Sequence, residues 1–184
     1  GMIALDMAPG LNRRFGFEKL KRFDPQAWRT LREKAQGRKK ISIKTDIYGS
    51  DLYGEALKLA RANLAALGLE SAVSLKQANV LEMPAPAAGG LIVSNPPYGV
   101  RLSEQQALAE FYPKLGDALK KKFSGWTAYV LTADLRLAKL IGLAASKRTP
   151  LFNGALECRL FEFKLVAGSM RKPRSADMPG AAPR

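Results

Sequence analysis

Apolar positions along this chain change their spacing several times, and each change predicts an element. Met2 to Ala8 reads as the last turns of a helix, stopped by Pro9-Gly10. Asp24-Pro25 is a helix start, with Asp24 as N-cap and Pro25 in the first turn, and the helix runs to about Ala35 before Gly37. Asp46 to Asp51 reads as a short buried strand with a polar end. Leu57, Ala60, Leu64 and Leu67 then recur at steps of three and four, which predicts a helix over 53–67 capped by Gly68. Ala72 to Gln77 alternates as a strand. Leu91-Ile92-Val93 is all apolar, the pattern of a strand covered on both faces. Leu108, Phe111, Tyr112, Leu115 and Leu119 share one helical face, and Pro113 should kink or restart that helix. Trp126 to Thr132 is a further strand and Leu135 to Ile141 a helix. Ala144 to Pro150 and Leu156 to Val166 flank a hairpin turn at Phe152-Asn153-Gly154.

Strands alternating with helices, followed by two adjacent strands, predict an α/β domain with a mostly parallel sheet and a C-terminal antiparallel hairpin over residues 1–166. From Ala167 to Arg184, Pro, Gly, Ala and charges dominate without periodicity, the composition of a disordered tail. Ligands of such sheets bind beyond the carboxyl ends of the strands. The residues there are Asp51, Asn79, Asn95 to Tyr98, and Asp134.

Composition narrows the chemistry. The chain has no histidine, which removes the usual general base and most zinc sites, so no metal is expected. A single cysteine, Cys158, points to a reducing, cytoplasmic setting. Neither a membrane-length apolar run nor a signal-peptide pattern is visible. The net charge is +14 and is concentrated. Between Asn12 and Lys44, twelve Lys and Arg, beginning with Arg13 and Arg14, face three acids, with Phe15, Phe17, Phe23 and Trp28 interleaved. Such a one-signed segment predicts a polyanionic partner, above all nucleic acid, where an evenly solvated face would mix both signs.

The stretch Asn95-Pro96-Pro97-Tyr98 is the most specific feature. The amine on a nucleobase is a poor nucleophile because its lone pair is delocalised into the ring. Two acceptors aimed at its N–H groups turn that lone pair out of the plane. The Asn95 side-chain oxygen and the Pro96 carbonyl supply them, the prolines hold them still, and Tyr98 offers a face to an unstacked base. Asp51 is placed equally well to accept from a ribose diol or to cap the next helix. Asn79 can read an adenine edge, although on position alone a turn residue is the simpler reading.

Asn95 to Tyr98 after an apolar strand resembles motif IV of the S-adenosylmethionine-dependent amino-methyltransferases. "MIALDMAPGLNRRFGFEKL", "IYGSDLY", "LIVSNPPYGVRL", "YPKLGDALKKKFSGW" and "NGALECRLFEF" are similar, in order, to segments of the large-subunit (23S) rRNA guanine-N2 methyltransferases. That resemblance implies a Rossmann-like class I methyltransferase fold, S-adenosyl-L-methionine as cofactor and ribosomal RNA as substrate. By it, Asp51 and Ser50 serve the cofactor ribose, and Asn79 stands where the family has an adenine-contacting aspartate. Asn95, Pro96, Pro97 and Tyr98 hold the guanine amine, while Asn153 and Gly154 line the target side. Arg13 and Arg14 grip RNA within the basic segment 12–44. Two alternatives remain at this point: a DNA adenine-N6 methyltransferase and a non-catalytic basic RNA-binding fragment.

No Gly-x-Gly occurs, and the first residues match the segment directly after the family's glycine-rich cofactor loop. The expectation is a gene start placed downstream of the first central strand, and weak or absent cofactor binding by these 184 residues. That strand would lie between those ending at Asp51 and Ser94. Its absence exposes two sheet edges, which direct pairing, another copy of the chain in a homo-oligomer, or rearrangement would cover.

Overall fold

The structure, a computed structural model, describes residues 1–10, 13–97 and 102–167; within the last span the side chains of 102–105 and of Leu137 are not described. Asn12, Tyr98 and the tail from 168 onward lie outside the described residues. The chain forms two compact units, residues 1–78 and 79–184.

The first unit opens with tight turns rather than a regular helix: the Leu5 N–H donates to the Gly1 carbonyl and that of Met7 to Met2. A 3-10 turn, Gly16–Lys19, leads into helix α1, Pro25–Gly37. The Asp24 carboxylate accepts from the N–H groups of Gln26 and Ala27 at 2.9 and 3.0 Å, as the sequence predicts for an N-cap. Strand β1, Tyr48–Asp51, pairs in parallel with β2, Ser74–Gln77, and helix α2, Gly54–Ala65, connects them. Gly68 ends the turn after α2 with φ of 63°. Leu5, Met7 and Leu69 form the small core, with Ile43, Leu64 and Ala72 against them.

The second unit holds the larger core. Its sheet runs β3 (Gly90–Ser94), β4 (Trp126–Thr132), β6 (Leu156–Lys164), β5 (Lys147–Asn153). β3 and β4 are parallel, whereas β6 is antiparallel to both β4 and β5. β4 alternates strictly between buried and half-buried residues, and Ala128 and Val130 face Phe163 and Phe161 across the β4–β6 ladder. Helix α3, Leu102–Lys122, lays Leu108, Tyr112, Leu115 and Leu119 onto that face, and helix α4, Leu135–Leu140, adds Ala138. Each such aromatic or leucine contributes on the order of 1.5–3 kcal/mol by leaving water.

The bounds of two strands and the reading of Pro113 also need correction. β1 begins at Tyr48, not Asp46, although the Ile47 carbonyl already accepts from Ser74 N–H. β5 begins at Lys147, three residues later than the pattern suggested. Pro113 sits inside a helix of 21 residues without restarting it. A proline removes only one helical N–H, and the leucines and Tyr112 on either side hold both halves of α3 to the same core.

The parallel strands do not share one sheet: β1–β2 and β3–β4–β6–β5 are separate. Among the described residues, β1 and β3 therefore each have a ladder partner on one side only. On β3, Leu91 and Val93 are 68% and 78% exposed while Ile92 packs into the core, so only one face of this apolar strand is covered.

Candidate functional site

Parallel pairing of β3 with β4 brings the carboxyl ends of both strands to one border of the second unit's sheet, with Ser94 opposite Val130. Because β6 runs the other way, its start, and with it the β5–β6 hairpin, reaches that same border. Asn95, Pro96 and Pro97, the β4–α4 connection at Asp134, and Asn153-Gly154 all project from it. The hairpin lies two to three strands from β3, roughly 10–14 Å at ordinary strand spacing.

Asn95 is exposed, and its side-chain amide makes no hydrogen bond among the described residues. Pro96 is buried and Pro97 exposed, so the turn is seated on one proline. No donor among the described residues reaches the Pro96 carbonyl. The Pro97 carbonyl accepts from the Tyr112 hydroxyl at 3.4 Å. Tyr112 is completely buried in the α3 face, so the core itself holds the turn beyond β3. The sequence pattern marked Tyr112 only as a core residue; a hydroxyl on an otherwise apolar helix face was the available signal. Tyr98 lies outside the described residues.

The hairpin turn is formed by Gly154 and Ala155 between the paired Asn153 and Leu156, one residue later than predicted. Gly154 adopts φ of 62°, the left-handed value that suits glycine at the first central position of a type II′ turn. Asn153 and Gly154 are exposed. Asp134 is committed to structure: it accepts from the Arg136 N–H at 2.9 Å and pairs with the Arg136 guanidinium at 2.7 Å. That pair holds the Arg136 guanidinium above its ordinary pKa, chiefly through the hydrogen bond.

Of the residues assigned to the cofactor, Asp51 ends β1 half-buried, with one carboxylate oxygen accepting from Tyr53 N–H at 2.8 Å. Its other oxygen has no partner among the described residues. Ser50 is exposed on the same strand. Asn79 is spent on its own turn. Its oxygen accepts from Leu81 N–H at 3.0 Å and its amide nitrogen donates to Glu82 at 3.1 Å. Arg13 and Arg14 are exposed, and the Arg13 guanidinium lies 5.4 Å from the centre of the Phe15 ring. Among the described residues, no group of His, Cys, Asp or Glu could hold a metal ion, and no helix is long and apolar enough to cross a membrane.

The chain is similar to known proteins. Residues 1–162 match the family profile described as RMKL-like, methyltransferase domain. The ribosomal RNA large subunit methyltransferase K/L of Shewanella sp. (strain ANA-3) is 38% identical over 191 aligned residues, covering 99% of this chain and 27% of the relative. The chain thus spans about a quarter of the length of the curated relatives it matches. The structure of SMU.472 complexed with SAH is 32% identical, with a TM-score of 0.79 over 92% of this chain and 44% of that one. A protein named as a predicted N6-adenine-specific DNA methylase, from Listeria monocytogenes, is 27% identical with a TM-score of 0.76 over 88% of this chain and 41% of its own. The α/β architecture is the Rossmann-like methyltransferase fold, and the chain belongs to the RMKL-like methyltransferase-domain family.

Proposed function

We propose that this chain supplies the amine-binding part of an enzyme that methylates the exocyclic N2 of a guanine in 23S ribosomal RNA. One observation carries the reading: an exposed Asn95 amide, unengaged among the described residues, leaves an apolar strand on a two-proline turn that Tyr112 ties to the core. The Asn95 oxygen and the Pro96 carbonyl accept from the two N–H groups of the amine, so its lone pair points away from the ring plane. Neither acceptor has another donor to lose among the described residues. Pro96 and Pro97 fix φ near −65°, which keeps this geometry with little entropy left to lose. Tyr98 supplies the stacking face, and Asn153-Gly154 and the exposed Arg13 and Arg14 contact the RNA.

S-adenosyl-L-methionine is the cofactor on this reading, supported by the family and by the SAH in the SMU.472 structure. It supplies an electrophilic methyl group. The second Asp51 oxygen suits a ribose diol, and Ser50 adjoins it on β1. Asn79 contacts adenine only by giving up Leu81 and Glu82, so the assignment rests on Asp51 and Ser50. The name of the curated relatives supports ribosomal RNA as substrate, and with it a cytoplasmic setting.

Product identity tests the proposal. The complete gene product is incubated with S-adenosylmethionine and either unmethylated large-subunit rRNA or DNA, and the nucleosides are separated after digestion. N2-methylguanosine from the RNA is the expected product. N6-methyladenine in the DNA, with no methylated RNA, refutes the reading in favour of the DNA enzyme.

A further inference from the structure

The aromatic residues of the basic segment do not scatter over its surface; they assemble. Phe15 and Phe17 stack at 5.3 Å between ring centres, and both meet Trp28 edge-on, at 5.7 and 5.0 Å. Phe23 adds a fourth ring 6.0 Å from Phe17. This cluster holds the 3-10 turn to α1, a helix with no buried residue of its own. Beside it opens a groove of about 400 Å³, within the range of small-ligand sites, lined by Glu18, Phe23, Trp28, Arg29, Arg32 and Glu33. Trp28 is half-buried between the cluster and the groove, and its indole N–H is shut off from solvent with no acceptor among the described residues. Lys19, at the end of the 3-10 turn, and Lys21 and Arg22, between that turn and α1, are exposed.

We infer that this groove is a subsite for one unstacked base of single-stranded RNA, separate in role from the amine-holding turn. It builds on the reading of RNA as substrate. The rings of Phe23 and Trp28 supply apolar stacking surface, which every base can use. Arg29 and the neighbouring cations meet the phosphates on either side. Glu33 offers acceptors to the donors on a base edge. A basic amphipathic helix could instead lie on an anionic membrane. Two features favour RNA. Carboxylates sit among the groove-lining residues, where they can accept from the donors on a base edge, whereas lipid acyl chains carry none. The aromatic rings also pack on one another rather than in a row along the helix.

The test uses the 184-residue chain with an eight-nucleotide single-stranded RNA and a duplex of the same sequence, and needs no methyl donor. The single strand should bind more tightly than the duplex and quench tryptophan fluorescence. Trp28→Leu should weaken the single strand about tenfold and leave the duplex unchanged. Trp28→Phe keeps a ring, so it should retain most of the affinity while abolishing the quench. Arg29→Ala, an exposed change that leaves the rings in place, should lower the salt slope by about 0.7. Equal binding of single strand and duplex, indifferent to Trp28→Leu, overturns the inference and leaves only a phosphate-gripping surface. Tight binding to phosphatidylserine vesicles that Trp28→Leu abolishes, without effect on RNA, overturns it in favour of a membrane. Failure here with rRNA methylation intact rejects the base subsite alone. The reverse result rejects the enzyme reading alone.

Discussion

Gly116 offers a sharp test of the packing beneath the site, because helix propensity and tertiary contact predict opposite signs for one substitution. It lies inside α3, where Gly→Ala should gain about 1 kcal/mol from propensity. A Cβ built there would fall 1.8 Å from the Ile141 carbonyl oxygen and 2.8 Å from its carbon. Real Cβ atoms do not approach closer than 3.0 Å, so α3 and the end of α4 must part by 3.0 − 1.8 = 1.2 Å. Neither partner can swivel away, since both are backbone. That separation opens the face carrying Leu115, Leu119, Ala138 and Ile141, all under 7% exposed. Overpacking of this kind costs about 3 kcal/mol, and the propensity gain offsets about 1. Gly116→Ala should therefore destabilise by about 2 kcal/mol and lower Tm by roughly 4–8 °C. Tyr112 lies one turn earlier on the same helix, so the Pro97 tether should loosen as well. Urea unfolding followed by circular dichroism measures the change, with Gly37→Ala as control because nothing lies within 4 Å of its Cβ. A Gly116→Ala protein as stable as wild type, or more so, would refute the α3–α4 contact.

Other measurements reach different parts of the molecule. Tyr112→Phe removes the long hydrogen bond to the Pro97 carbonyl, which by itself is worth less than about 1 kcal/mol. The methyl-transfer rate should fall more than cofactor affinity does; equal loss of both would deny the tether a positioning role. Hydrogen bonds from Ser146 and then Tyr129 hold the Glu162 carboxyl below its ordinary pKa, while the same pair raises Tyr129. The Glu162 contribution is thus complete above its unfolded pKa, near 4.5, and is lost as pH falls through the lower folded value. The Tyr129 contribution is present below pH 10.0 and is lost as pH rises through its higher folded value. Urea midpoints across pH should flatten at the acid end in Glu162→Gln and at the alkaline end in Tyr129→Phe. Unchanged pH profiles would contradict the network.

The elements that local physics specifies were legible from residues alone. Asp24-Pro25 caps α1 because an aspartate and a proline have few better uses there, and Gly154 turns the hairpin because φ of 62° suits it. β4 forms over Trp126–Thr132, the span read from the residues, and Asn95 directly follows β3 as expected. Tertiary context decided the rest. Asn79 can serve a ligand or its own turn, and only the positions of Leu81 and Glu82 select the turn. Pro113 reads as a break until the leucines around it are seen on one core. The Tyr112 hydroxyl and the Trp28 groove join residues 15 and up to 18 positions apart, beyond the reach of periodicity.

The central claim concerns one oxygen atom, and a single-turnover rate reads it most directly. The complete gene product and its Asn95→Ala variant are mixed in excess over rRNA at saturating S-adenosylmethionine, with RNA and cofactor binding measured separately. Removing an acceptor that acts on the reacting amine should slow transfer by on the order of 10²–10³ while both binding constants hold. Transfer at the wild-type rate by a folded Asn95→Ala protein would contradict the account.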